Sequence, residues 1–497
     1  MGVRLNFAKD VSYIAVAKYS GIFINILVSA ILARMLTPED FGVTSIATVI
    51  IVFFSLFSDM GIGPAIVQNR ELDSNDISNL FGFTFWLGII LGLLFFLASP
   101  LIAAFYENDL LTPVCRLLSL QLVFASLNAV PNALLSKEKK FSIIAIRTLS
   151  IQVACGIISI IAAYKGLGVY SLVLTPVCSG FLIFCVNEFY LRLKIHLIPK
   201  LYSLKKVFSF SVFQFLGGIV SYLGNNLNSL LIGKVISLSE LGYYDKASKL
   251  VQSPMSYVSG VITPVLFPYL AERQSNPEHV YEICHKMNKI FITFAFTIAA
   301  VLCMCSKEVI LILYGPQWVN AITCFVIMSF IIAMQLSSIT VISSLQSSGM
   351  TRAIFRISII NSCVALLCTV IALITFKTIE SVAAANVISA TWSGIFNLYY
   401  GYAKGFEKSP KALFRYGGKF VLYYIVIAAA GLAFTRFVPM HIVLSLLVKV
   451  ALWACLTFLF MKYFTEYDPI YYIKYFYSKI INYMKGQKEE IQDDSDA

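Results

Sequence analysis

Ala33-Arg34-Met35-Leu36-Thr37-Pro38-Glu39-Asp40-Phe41-Gly42 and Gly233-Lys234-Val235-Ile236-Ser237-Leu238-Ser239-Glu240-Leu241-Gly242 stand two hundred positions apart and share one pattern. In each, an apolar stretch ends on a small residue and a cation. A hydroxyl follows, then an acid three residues later, an apolar residue and glycine. Hydroxyl-x-x-acid marks a helix N-terminus, so each copy reads as the hinge between two membrane helices. Matching hinges at corresponding places point to a duplicated membrane transporter.

Composition agrees. The 497 residues are 59% hydrophobic and 13% charged, with a mean hydropathy of +0.81. A soluble domain of this length does not need so much apolar surface. At about 20 apolar residues per span there is room for roughly 14 spans. They are expected near 11–36, 41–67, 80–106, 111–135, 141–165, 167–191, 206–232, 241–270, 283–313, 319–345, 353–376, 379–403, 413–437 and 440–464. The predicted class is an all-α integral membrane protein of about 14 transmembrane helices in two pseudo-symmetric halves. Ala8-Lys9-Asp10 leads straight into the first span, so no cleaved signal peptide is expected.

The net charge is +12, but the cations alternate between loops, which argues for membrane topology and against nucleic acid. Lys137, Lys139 and Lys140 follow span 4, Arg192, Lys194, Lys200, Lys205 and Lys206 follow span 6, and Lys404, Lys408, Lys411, Arg415 and Lys419 follow span 12. Loops after odd-numbered spans hold few cations, such as Lys165, Lys307 and Lys377. An even number of spans with both termini cytoplasmic satisfies this bias. The expected division is a six-helix bundle over 1–192, a cytoplasmic linker over 193–206, a second bundle over 207–404 and a final helix pair over 405–467. An amphipathic interfacial helix over 468–486 and an acidic, disordered tail over 487–497 follow. Because each half holds an even number of spans, the repeats share one orientation and are expected to relate by an axis along the membrane normal. The eleven cysteines sit almost entirely in apolar stretches without metal-site spacing and read as reduced and buried, so no metal is expected.

Ionised residues inside spans face a polar cavity or a partner, because each costs about 2.5–3.5 kcal/mol at the bilayer centre. The cationic candidates are Lys18, Arg34, Arg116, Arg147, Lys234, Lys246, Lys249, Arg352 and Arg356. The acidic ones, Asp59, Glu188 and Asp245, are candidates for coupling to a proton or sodium gradient. Asp245 and Lys249 are four apart and can pair, leaving Lys246 free. Excess cations suit an anionic cargo, phosphate above all. Asn225 and Asn226 supply donors and acceptors for sugar hydroxyls. A plainer reading exists for several of these. Arg147, Glu188, Arg352 and Arg356 can reach water at the cytoplasmic interface, and Arg34 and Lys234 can anchor the opposite one.

Leu32-Ala33-Arg34-Met35-Leu36-Thr37-Pro38-Glu39-Asp40-Phe41-Gly42 resembles the first-hinge signature of bacterial polysaccharide exporters. These are Wzx-type flippases of the colanic and teichuronic acid kind, within the multidrug/oligosaccharidyl-lipid/polysaccharide superfamily. Asp59-Met60-Gly61-Ile62-Gly63 and Leu241-Gly242-Tyr243-Tyr244 are similar to that family too. The resemblance implies 14 helices around a central cavity and a location in the bacterial cytoplasmic (inner) membrane. Its implied cargo is an undecaprenyl-diphosphate-linked oligosaccharide moved to the outer leaflet, with no bound cofactor and with a polysaccharide polymerase as a partner. On that reading Lys18, Arg116, Arg147 and Lys249 hold the diphosphate.

Two other classes stay in view. A membrane polymerase or glycosyltransferase needs an acid or base presented at the membrane face, and His196, His279, His285 and His441 are scattered. No catalytic residues are therefore expected. An exporter of amphipathic drugs or of a peptidoglycan precursor shares the architecture, and drug export favours acidic rather than basic cavity residues.

Overall fold

The computed structural model describes residues 2–465, apart from 60–61, 70–71, 197, 199–218, 220–221, 223, 225, 275, 349 and 439; the side chains of 2–18, 59, 64, 68, 261, 264, 265, 267, 268, 277 and 351 are also outside the description. Every regular element among the described residues is helical. The first are α1 (Gly2–Met35), α2 (Pro38–Asp59), α3 (Ile62–Gln68), α4 (Ser74–Tyr106), α5 (Leu111–Lys137), α6 (Phe141–Tyr164) and α7 (Tyr170–Leu191). After a helical run over 226–235 come α8 (Leu238–Ala271), α9 (Pro277–Met304), α10 (Ser306–Leu313) and α11 (Ala321–Leu336). The last are α12 (Ile339–Ser347), α13 (Thr351–Thr375), α14 (Ile379–Tyr400), α15 (Lys411–Phe437) and α16 (Ile442–Phe464).

Ten stretches among the described residues are long and apolar enough to cross a membrane. They coincide with the expected spans two to six, nine to eleven, thirteen and fourteen. The first, eighth and twelfth positions are helical but are not among the ten, and most of the seventh lies outside the described residues, as do the tail segments 468–486 and 487–497. In α14 the run from Ser389 to Ser393, with Thr391 and Trp392, dilutes the apolar character. Large apolar side chains such as Leu97, Leu101, Leu422 and Leu447 are exposed on the long helices, as a lipid-facing surface requires. The chain is a multi-pass membrane protein.

The described residues form two compact units. One draws on Met1–Leu250, Ile310–Met328 and Ser358–Ser389, the other on Val251–Val309, Ser329–Ile357 and Ala390–Ala497. In the first, α4 packs on α5, α1 on α6, and α5 and α6 on α7. Its α2 starts where the sequence pattern says. Pro38 fills the first helical position, where no amide partner is needed. Thr37 and Asp40 cap reciprocally, the Asp40 amide donating to Thr37 Oγ1 at 3.2 Å and the Thr37 amide to Asp40 Oδ2 at 2.9 Å. At α8 the Glu240 amide donates to Ser237 Oγ at 3.1 Å.

The two hinges also pack on each other. A Cβ added to Gly42 would stand 1.8 Å from the Leu238 carbonyl oxygen, and one added to Gly242 would stand 2.0 Å from that of Pro38. Only glycine permits this approach, and it is reciprocal: each glycine meets the first residue of the other helix.

The second unit is held by hydrogen bonds between helices. Tyr424 shares one with Ser329 at 2.7 Å, Tyr416 with Thr293 at 2.7 Å and Tyr423 with Thr457 at 2.6 Å. Near the start of α10, Glu308 meets Lys449 of α16 at 2.8 Å, and both side chains are almost wholly buried. Ser445 donates to Glu308 at 2.7 Å, and Lys449 donates to Thr435 Oγ1 at 2.7 Å. Removing one partner of such a pair strands a buried charge, which costs about 3–5 kcal/mol. Lys449→Met should therefore lower thermal stability in detergent sharply, while Glu308→Leu/Lys449→Met should regain most of the loss. Equal losses in both variants would show that the pair contributes no charge compensation.

Candidate functional site

The first unit carries a half-open cavity of about 400 Å³. One wall is α2, whose Thr44, Ser45 and Thr48 line it at helical spacing; Ser29 of α1, Tyr222 and Asn226 add polar groups. The opposite wall is the second and third turns of α8, with Asp245, Lys246 and Lys249. Two lysines against one aspartate leave the lining with one net positive charge (2 − 1).

The α8 charges are arranged unequally. Lys249 pairs with Asp245 at 2.7 Å, as their spacing predicts; the Lys249 side chain is 64% exposed and that of Asp245 14%. Lys246 is not free. It is 2% exposed, donates to Ser29 Oγ at 2.7 Å and lies 3.7 Å above the Phe41 ring centroid. The rings of Tyr314, at 4.9 Å, and Trp318, at 5.7 Å, complete the box. Aromatic faces stabilise a desolvated cation by about 2 kcal/mol. The placement of Lys246 follows from the hinges. It lies one turn beyond Gly242 on the same helix face, while Phe41 adjoins Gly42, so the close approach of the glycines brings cation and ring together. Tyr314 and Trp318 come from a turn after α10. Gly315 there adopts φ +99°, open to glycine, and Pro316–Trp318 forms one tight helical turn.

Of the sequence candidates, the cavity unites Lys246, Lys249, Asp245 and Asn226, whose side-chain amide donates to the Tyr222 carbonyl at 2.9 Å. The side chains of Lys18 and Asp59 and all of Asn225 lie outside the described residues. The remaining candidates are not among the lining residues. Arg147 is buried between helices and donates to Asn187 Oδ1. Asn187 donates in turn to Asn128 at 2.8 Å and Asn132 at 3.2 Å, so this buried guanidinium joins an amide cluster. Arg116 is exposed, 4.9 Å from the Phe96 ring centroid. Arg34 donates to the carbonyls of Ile312 and Leu313. Lys234 pairs with Glu107 at 2.7 Å and thereby holds that carboxyl below its ordinary range. Arg352 and Arg356 are exposed on α13, and Glu188 is half-buried near the end of α7.

Sequence reading missed the aromatic box and the Glu308–Lys449 pair. Lys449 had a signal: a lone cation in the middle of an apolar run from Ile442 to Phe460. Tyr314 and Trp318 had only a Gly-Pro turn beside them, which says nothing about a cation on another helix.

The family described as polysaccharide biosynthesis protein matches residues 31–323, which include both hinges, the cavity wall of α8 and Trp318. The chain belongs to this family. Among curated relatives it is similar to the teichuronic acid biosynthesis protein TuaB of Bacillus subtilis (strain 168), 28% identical over 309 residues, covering 60% of this chain and 62% of that protein. It is also similar to the lipopolysaccharide biosynthesis protein WzxC of Escherichia coli (strain K12), 25% identical over 324 residues, 64% of this chain and 65% of the other. The matches thus span less than two thirds of these relatives' lengths. Its fold is similar to that of the lipid II flippase MurJ in an inward closed conformation, with a TM-score of 0.71 at 13% identity over 94% of this chain and 99% of that one.

The two kinds of cation separate experimentally. Arg147→Met leaves the Asn187 carbonyl without its donor and should cost about 1–3 kcal/mol of stability, read as a lower melting temperature and a lower membrane level. Lys249→Ala, at an exposed position, should leave both unchanged. A loss for Lys249→Ala equal to that of Arg147→Met would remove this distinction.

Proposed function

We propose that this protein is a flippase that moves undecaprenyl-diphosphate-linked oligosaccharide repeat units from the inner to the outer leaflet for surface polysaccharide synthesis. The observation that carries the reading is the cavity, with Lys246 and Lys249 facing a row of hydroxyls from α2 inside a polysaccharide biosynthesis protein. A diphosphate needs cations whose attraction is not screened by bulk water, and a glycan needs donors and acceptors. Lys249 is held by one carboxylate on an open face, so an incoming phosphate can replace Asp245 as its partner. A cavity of about 400 Å³ suits a headgroup, within the roughly 300–1,000 Å³ typical of ligand sites, and leaves the prenyl chain in lipid.

Similarity to the teichuronic acid and lipopolysaccharide biosynthesis proteins TuaB and WzxC supports polysaccharide handling, and the MurJ-like fold supports a flippase architecture. In this proposal fourteen spans form two pseudo-symmetric bundles that rock about the cargo site. Both termini face the cytoplasm of the bacterial inner membrane, and a polymerase takes the cargo on the far side. The chain then performs transport without chemistry, driven by a proton or sodium gradient in which Asp245 is a coupling candidate.

The test is a deletion in the source bacterium, with extraction of undecaprenyl-linked saccharides and assay of surface polymer. Accumulation of a complete repeat unit with loss of polymer is expected. Complementation should fail with Lys246→Gln and Lys249→Ala at normal membrane levels, and succeed with Arg116→Ala. Unchanged lipid intermediates and polymer in the deletion strain would sink the proposal.

A further inference from the structure

The segment that walls in Lys246 also clasps the end of α1. Trp318 Nε1 donates to the Ala33 carbonyl at 2.8 Å. Gln317 Nε2 donates to the Leu36 carbonyl at 2.9 Å and also to that of Ala33. In the other direction, Arg34 Nε donates to Leu313 O at 3.3 Å, and its Nη2 donates to Ile312 O. All of these acceptors lie at the C-terminal ends of α1 and α10, where the last four carbonyls of a helix lack intrahelical partners. Two helix ends therefore cap one another through side chains from the opposite strand of the chain.

Such a contact is suited to opening. Arg34 and Gln317 are exposed, so water can take over their bonds and those of the carbonyls when the ends part. The Trp318–Ala33 bond is buried and must be opened to water in the same movement, but no charge is stranded by it, unlike the rupture of the Glu308–Lys449 pair. The clasp also joins the first sequence repeat to the second, on the side of the loops that follow odd-numbered spans. It shares Trp318 with the box around Lys246, and Trp318 meets Phe41 at 5.4 Å and Tyr314 at 5.7 Å between ring centroids.

We propose that residues 312–318 form a latch that closes the cavity on its odd-loop side, and that cargo releases it by drawing Lys246 out of the aromatic box; the release step rests on the diphosphate reading above. When an anion takes the ammonium, Phe41, Tyr314 and Trp318 lose the charge that holds them together. The remaining clasp is then the water-replaceable bonds of Arg34 and Gln317 and the one buried bond from Trp318 to Ala33. Trp318 is in these terms a positioning residue, acting on cargo through Lys246.

Two measurements test the latch and its release separately. In right-side-out vesicles carrying a Thr48→Cys reporter with the native cysteines replaced, a membrane-impermeant maleimide should label Thr48→Cys about tenfold faster once Arg34→Ala and Gln317→Ala are added, a shift of about 1.4 kcal/mol in the closed–open balance. The milder Trp318→Phe, which keeps a ring but loses the N–H, should give a smaller rise and guards against a folding defect. Equal labelling in all three overturns the latch. For release, hydrogen–deuterium exchange over 312–318 should quicken when undecaprenyl diphosphate is added to the full-length protein, and should not respond in Lys246→Met. Lipid that binds without changing this exchange overturns the release step. Lipid that fails to bind overturns the diphosphate reading and the release step with it, while the labelling result decides the latch by itself.

Discussion

Everything at the site depends on two glycines. Gly42 and Gly242 let each hinge press against the first carbonyl of the other helix, at a separation no side chain would permit. The consequence is geometric. Phe41 travels with Gly42, and Lys246 lies one turn along from Gly242, so closing the hinges sets an ammonium over an aromatic face. A charge withdrawn from water in this way is costly unless something replaces the solvent. Three rings and one hydroxyl do so here.

That arrangement differs in kind from the other buried cations. Lys449 has Glu308, Ser445 and Thr435 around it and ties α16 to α10. Arg147 of α6 donates into an amide cluster of α5 and α7. Both donate to fixed partners on other helices. Lys246 and Lys249 line a cavity, one in an aromatic box and the other exposed and paired with a single acid. The contrast explains why a count of intramembrane cations does not locate a binding site: the partner decides whether a charge is structural or available.

The all-helical, multi-pass character and ten of the spans were legible in the sequence because hydropathy and capping are local. The hydroxyl-x-x-acid pattern placed the starts of α2 and α8, and the Asp245–Lys249 pair followed from helical spacing alone. What was not legible depends on which helices touch. Arg147 and Arg116 read as cavity cations because their depth in a span was visible, whereas Asn187 and Phe96, which they meet, belong to other helices. Lys246 read as the free member of its trio for the same reason: its aromatic neighbours come from positions 41, 314 and 318.

The central claim is that this cavity recognises a diphosphate on a lipid. Binding of undecaprenyl diphosphate and of undecaprenol to the purified protein in detergent, followed by native mass spectrometry, tests it most directly. The claim requires strong preference for the diphosphate, lost in Lys246→Met and Lys249→Ala but retained in Arg352→Ala. Equal retention of the two lipids, or a preference that survives both lysine substitutions, would contradict it.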